Sequence, residues 1–313
     1  MSGICTLTLN PTIDVAYEVD RLFHTRKMRT SAEFYSPGGG GINVARVFVR
    51  LGGLARIYYA SGGATGPALD GLLDQHLLVR KRIPITGTTR VSFAMLERTS
   101  GKEHRFVPDG PSFTTAEWQA CLDEMLHAQC QFMVASGSLP PGVPDDFYAR
   151  LIDIMAERNI PVVLDSSGAA LRSAVDRGGL FLIKPSIGEM RQVVGRDLND
   201  LGAIACAAMD LVSSGRSRYV VVTMGHEGAL LATPAGSHHL PAVDVPANSS
   251  VGAGDSFLAA MIFALTCEWT VENAFRFGIA AGAAAVLNPG HDLAHPAEIQ
   301  RLYELVPPIE GED

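Results

Sequence analysis

The chain has 313 residues, of which 47% are hydrophobic and 19% charged, enough apolar length for a large buried core. Its formal charge of −8 argues against general nucleic-acid binding, although one local cluster of Lys and Arg can still meet an anionic substrate. The five cysteines (Cys5, Cys121, Cys130, Cys206, Cys267) are odd in number and never spaced C-x-x-C. They read as reduced core thiols rather than a disulfide framework or a zinc site.

The first residues, MSGICTLTLN, lack a basic stretch followed by an apolar one, and the longest apolar runs, such as FLAAMIFALTC (257–267), fall short of a membrane span. A soluble, cytoplasmic protein is expected. From the N-terminus onward, short apolar runs alternate with amphipathic ones. GICTLTLN (3–10), ARIYYAS (55–61), QFMVASGS (131–138), PVVLDSS (161–167), LFLIKPS (180–186) and RYVVVTMG (218–225) each end in Gly, Ser, Asn or Pro. Strands covered by helices on both faces have this continuous apolar character. Between them lie helical patterns such as DDFYARLIDIMAERN (145–159), with Phe147, Leu151, Ile154 and Met155 on the apolar side. The alternation predicts an α/β fold, a doubly wound and mostly parallel sheet flanked by helices.

Two segments depart from this pattern. IDVAYEVDRL (13–22) and TRVSFAMLE (89–97) alternate with period two, and MRTSAEFY (28–35) and EHRFV (103–107) follow them. They predict half-exposed antiparallel strands in a small separate sheet. A flap over an active site and a plain edge or dimer surface are equally compatible with that pattern. With no linker or internal repeat, residues 1–313 are taken as one domain carrying a lid formed from about 13–36 and 88–107.

Ligands of doubly wound sheets bind beyond the carboxyl ends of the strands, and several polar or glycine-rich clusters fall there: NPTID, SGSLPPG, DSSG, KPSIGE and TMGHEG. SPGGGGINVARVF (36–48) places four consecutive glycines, Gly38 to Gly41, before an amphipathic helix with Asn43 and Arg46. Such a run is costly to order, so close backbone approach to a hydroxylated or phosphorylated ligand explains it better than a turn, with a flexible loop as the competing reading. It is not a Walker A loop, because no G-K-[ST] follows, and the G-x-G-x-x-G dinucleotide fingerprint is missing. Arg26, Lys27, Arg29, Arg90 and Arg105 give the lid a cationic character suited to phosphate, although each alone is ordinarily a solvated surface charge. Arg80 to Arg82, at an expected helix-to-strand turn, are read as plain surface charge.

In KPSIGEM, Lys184 ends a strand and Glu189 opens a helix, where a carboxylate can hold Mg²⁺ through water or simply pair with the lysine. TMGHEG offers Thr223, Gly225 and Gly228 to a nucleotide phosphate or ribose, or is a β-turn. NSSVGAGDSF (248–257) sets glycines and one acid before the run FLAAMIFAL. Unpaired N–H groups at that helix start can stabilise charge developing on a transferring phosphoryl group or a tetrahedral oxyanion, and the helix dipole is expected to favour ionised Asp255. Ordinary helix capping is the competing explanation.

VGAGDSF together with PGGGGINVAR resembles the two signatures of the ribokinase-like, phosphofructokinase-B carbohydrate kinases. TLNPTID, SGSLPPG, LDSSG, KPSIGE and TMGHEG follow in that family's order and spacing, so the resemblance spans the chain. It implies ATP-dependent phosphorylation of a sugar hydroxyl. Gly40, where many 1-phosphofructokinases and tagatose-6-phosphate kinases carry Lys, makes the chain look most like the minor bacterial 6-phosphofructokinases and favours fructose 6-phosphate.

By the same resemblance, Asp255 is the base and Gly252, Ala253 and Gly254 form the anion hole. Asp14, Gly38, Gly39, Asn43 and Ser138 contact the sugar, and Lys27, Arg90 and Arg105 its phosphate. Lys184, Ser186, Thr223, Gly225, Gly228, Asn248, Ile279 and Ala283 face ATP, and Glu189 faces Mg²⁺. Ser249 and Val251 are implied, less directly, at a monovalent-cation (K⁺) site. The family usually has Asn where this chain has Ser186, which shortens the reach toward phosphate and Mg²⁺. A homodimer paired through the lid is also implied. Other readings left open are a 1-phosphofructokinase, a tagatose-6-phosphate kinase, a ribose or nucleoside kinase, and a non-catalytic sugar-phosphate sensor.

Overall fold

The computed structural model describes residues 3–246, 248–288 and 292–309. The chain opens with β1 (Ile4–Thr8), β2 (Thr12–Val19), β3 (Ser31–Gly38), α1 (Gly40–Arg50), β4 (Ala55–Gly62) and α2 (Gly66–Leu73). Then come β5 (Val79–Ile85), β6 (Arg90–Glu97), β7 (Lys102–Phe106), α3 (Thr115–Met125), β8 (Phe132–Ser136), α4 (Phe147–Glu157), β9 (Val162–Asp165) and α5 (Gly168–Arg177). The next elements are β10 (Leu180–Ile183), α6 (Ile187–Val194), α7 (Leu201–Ser213), β11 (Ser217–Thr223), β12 (Ala229–Thr233) and β13 (Gly236–Leu240). Three helices close the chain: α8 (Ala253–Thr266), α9 (Val271–Val286) and α10 (Pro296–Tyr303).

Nine strands form one sheet in the order β13-β12-β11-β10-β9-β8-β1-β4-β5, parallel from β11 through β5, with β12 joining antiparallel. Successive strand residues feed opposite faces. Ile4, Val134, Val163, Leu182 and Val221 pack under α1, α8, α9 and α10, whereas Cys5, Met133, Leu164, Ile183 and Val222 pack under α3 to α7. Burial on both faces is why these strands read as unbroken apolar runs. The chain proceeds from β1 to β4 on one side and later to β8 on the other. The sheet's switch point therefore lies at the carboxyl ends of β1 and β8.

The second sheet has the order β3-β2-β6-β7. Its strands were expected to be antiparallel throughout, but β2 and β6 run parallel, because both leave the carboxyl edge of the large sheet in the same direction. Two further expectations change. Arg80, Lys81 and Arg82 lie within β5 rather than at a turn, and they pair with Asp70, Asp74 and Glu124, in keeping with a surface role. Cys5 and Cys121 are buried, but Cys206 and Cys267 are exposed and so are not core thiols. Among the described residues no helix is long and apolar enough to cross a membrane.

Candidate active site

The glycine run sits at the switch point, and sterics explain each glycine. A Cβ on Gly38 would lie 1.9 Å from Asp14 Oδ2, one on Gly40 2.1 Å from Ser136 Oγ, and one on Gly41 2.5 Å from Thr8 Oγ1. Gly39 adds a φ of 111°, a conformation that side chains resist. The run thus brings the start of α1 down onto the ends of β1 and β8, with no side-chain cap on the helix among the described residues. On the first turn, Asn43 is buried and its Nδ2 donates to Asp255 Oδ2 at 2.9 Å, across 212 residues of chain.

Asp255 is the third residue of α8, whose N-cap is Gly252 at φ 71°; among the described residues no side chain caps the helix, Asp255 included. Its role is therefore not capping. A Cβ on Gly254 would stand 3.2 Å from Lys184 Nζ, so the ammonium faces the first turn of the helix. Gly252 similarly leaves room for Leu293, which a Cβ there would meet at 2.3 Å. Burial, together with the charges of Asp165 and Asp14, pushes the Asp255 carboxyl up to about 6, against the pull of Asn43 and Lys184. This reverses the expectation that the helix dipole would favour the ionised form. An exposed terminus offers only about 0.3–1 kcal/mol, which burial beside two other acids outweighs.

Lys184 follows β10 and is 5% exposed. Its Nζ lies 3.1 Å from Asp165 Oδ2 at the end of β9. Burial opposes the ammonium, but Asp165, Asp255 and Glu189 together raise it above the usual lysine range. Sequence reasoning missed Asp165; the signal available was DSSG at a strand end, and nothing in it announced a partner 19 residues on. The simple Lys184–Glu189 pair weighed from sequence is not what forms. Glu189 instead closes a capping box: its Oε2 accepts from Ser186 N at 2.7 Å and from Ser186 Oγ at 2.8 Å. Ser186 thus serves as the N-cap of α6 and lies beside Thr223 through an isolated bridge.

Gly225 (φ 62°) is exposed in the turn after β11, and Gly228 (φ 93°) sits where a Cβ would strike Leu240 O at 2.1 Å. Asn248 is exposed and rests on the C-terminal end of α9, with its Nδ2 donating to Leu287 O at 2.6 Å. Ile279 and Ala283 are buried one turn apart on α9. Ser249 is buried; its Oγ accepts from Val251 N at 3.2 Å and lies 3.5 Å from Glu103 Oε2 on β7 of the lid.

Strand register puts Asp14, Arg90 and Arg105 on one face of the lid. Thr12 pairs with Arg90, Asp14 with Ser92, and Ala16 with Ala94, which in turn pairs with Arg105. Burial raises the Asp14 carboxyl, and Arg105 and Arg90 are the largest influences pulling it down. Arg90 donates to Pro108 O and Asn10 O, each at 2.8 Å, and its Nε has no partner among the described residues. It lines a cleft of about 500 Å³ with Val107, Pro108, Asp109, Ser138 and Leu139. Ser138 Oγ accepts from Asn10 Nδ2 at 3.3 Å. Lys27 is not among the residues of this chain that line the cleft. It is exposed in the segment after β2, and that strand carries the chain away from Asp14 by about 3.3 Å per residue.

The sequence model for pfkB family carbohydrate kinases matches residues 6–298. A Mycobacterium tuberculosis protein named ATP-dependent 6-phosphofructokinase isozyme 2 is 43% identical over 304 residues, covering 96% of this chain and 89% of its own. A 1-phosphofructokinase from Bacillus subtilis is 29% identical, over 91% of this chain and 93% of its own. The crystal structure of phosphofructokinase-2 from Escherichia coli in complex with potassium superposes with a TM-score of 0.93 at 36% identity, covering 97% of this chain and 99% of that one.

Proposed function

The chain belongs to the pfkB family of carbohydrate kinases, and we propose that it transfers the γ-phosphoryl group of ATP to the free primary hydroxyl of fructose 6-phosphate, giving fructose 1,6-bisphosphate. The observation that carries this reading is the lid face on which Asp14, Arg90 and Arg105 stand together. A bare sugar or nucleoside needs no such pair of guanidiniums, whereas a phosphate monoester is well matched by them. The higher identity to the 6-phosphofructokinase isozyme than to the 1-phosphofructokinase supports the same sugar phosphate.

In the proposed reaction, Asp14 and the backbone at Gly38 and Gly39 orient the sugar, with Ser138 beside it. Asp255 accepts the hydroxyl proton as that oxygen bonds to the γ-phosphorus and the bond to the bridging oxygen of ADP breaks. N–H groups at Gly252 to Gly254 and the Lys184 ammonium neutralise the phosphoryl oxygens. Such transfers have a loose transition state, so positioning and charge matter more than a strong base. A carboxyl near 6 is nevertheless better placed for proton acceptance at neutral pH than an ordinary aspartate.

A bound Mg²⁺ would supply charge neutralisation on the transferring phosphate. Glu189 fits a water-mediated hold on it, because the capping box fixes one carboxylate oxygen and keeps the charge near Lys184. Thr223, Gly225, Gly228, Asn248, Ile279 and Ala283 are assigned to the nucleotide, and Ser249 and Val251 to potassium. A second copy is proposed to cover the apolar face of the lid opposite Asp14, where Tyr35 (53%), Phe93 (40%) and Phe106 (58%) stay exposed. Nucleotide and lid surfaces then belong to one working unit of residues 1–313.

Replacing Arg90 with Ala tests the phosphate assignment. KM for the sugar phosphate is expected to rise roughly 10–100-fold, the scale of one charge-assisted interaction, with kcat little changed. An unchanged KM would remove the basis for a phosphorylated substrate.

A further inference from the structure

Arg46 lies one turn beyond Asn43 on α1 and is 5% exposed. Its Nη1 donates to Asn43 Oδ1 at 3.2 Å and to Pro37 O at 3.0 Å, and its Nε has no partner among the described residues. Among the described residues no carboxylate lies within ion-pair distance of this guanidinium. A buried charge without a direct counter-charge is expensive, and an apolar side chain would fill the same volume at lower cost. Packing therefore does not explain it.

The geometry points to a positioning role: we propose that Arg46 fixes the amide of Asn43 with its NH₂ toward Asp255, and so sets which carboxylate oxygen is left for the substrate hydroxyl. An asparagine amide has one accepting end and one donating end. With Oδ1 engaged by Arg46, Nδ2 must face Asp255 Oδ2, as it does at 2.9 Å. The flipped amide would set Nδ2 against the guanidinium and Oδ1 against the carboxylate, two repulsions at once. Without Arg46, only the second repulsion remains, and it vanishes when Asp255 is protonated. A flipped Asn43 would then accept the proton's hydrogen bond and favour the inactive acid. The bond to Pro37 O also ties this amide to the end of β3, where the lid strand returns to the glycine run.

The charged surroundings are compatible with this role. Asp255 is faced by Asp165 and Lys184 from the strand ends and by Asp14 from the lid. Arg46 feels Arg50, Asp292, Asp14 and Asp255, and His76 lies within range of its charge. Apart from Asp255 itself, which accepts from Nδ2, none of these contacts the Asn43 amide, and none replaces Arg46 at Oδ1. The proposal rests on Asp255 being the base.

The test compares Arg46→Met, Arg46→Lys, Asn43→Ala and the Arg46→Met/Asn43→Ala double variant by steady-state kinetics across pH. Arg46→Met is expected to lower kcat roughly 10–100-fold, with a much smaller change in KM for the sugar phosphate. Its acid limb should move to higher pH, and a titrating substrate phosphate cannot produce that movement. Arg46→Lys keeps the charge and a donor group and should recover part of the loss. The double variant should be no worse than Asn43→Ala, because Arg46 acts through that amide. Additive losses, a pure KM effect or an unmoved acid limb would overturn the proposal. Failure of the base assignment is distinguishable, because it would appear as retained turnover in Asp255→Asn.

Discussion

Asp255→Asn is expected to cut kcat by roughly 10²–10⁴-fold, the range for losing a general base, with KM for both substrates close to that of the parent chain. The amide is nearly isosteric, and its oxygen can still accept from Asn43 Nδ2, so the first turn of α8 keeps its place. Stability should move the opposite way. The folded-state carboxyl is raised to about 6, so its ionisation weighs against the fold as pH rises through the interval from about 4 to 6, and the full penalty persists above that. The variant should therefore match the parent in stability at acid pH and exceed it by about 1–3 kcal/mol at neutral pH. Chemical denaturation at both pH values, alongside kinetics, checks the pair of outcomes. Turnover close to the parent's would sink the base assignment.

Asp165→Ala is expected to be the most damaging single change to stability among the site residues. Lys184 is 5% exposed and Asp165 is its ion-pair partner at 3.1 Å. Removing one member of a buried pair typically costs about 3–5 kcal/mol, because the remaining charge stays desolvated. For a chain of this size that corresponds to a fall in Tm on the order of 10 °C. Turnover should fall too, since an ammonium without its anchor no longer stands against Gly254. Replacing both members, Asp165→Leu with Lys184→Met, should restore much of the Tm but none of the activity. An unchanged Tm in Asp165→Ala would show that the pair holds neither the fold nor the site.

The contrast between these residues explains what was legible in the sequence. The six central strands were readable because burial on both faces leaves an unbroken apolar run. β5, written VRKRIPI, was not, since its basic residues alternate outward to meet Asp70 and Glu124. The glycines of α1 and α8 announced close approach because few other causes require them. The Asn43–Asp255 contact and the Asp165–Lys184 pair depend on the sheet bringing distant strand ends together, and no local pattern encodes that.

Electrostatics was the least readable part. The dipole argument for Asp255 was sound locally, yet it lost to burial and to two acids supplied by β2 and β9. Alternation along β2 likewise identifies which side chains share a face, but not which end of the strand meets the cleft.

The central claim, phosphorylation of fructose 6-phosphate, is tested most directly by ATP-dependent ADP release with fructose 6-phosphate, fructose 1-phosphate and tagatose 6-phosphate compared at equal concentrations. The account predicts the highest kcat/KM with fructose 6-phosphate; a preference for fructose 1-phosphate, or no ADP released with any of the three, would contradict it.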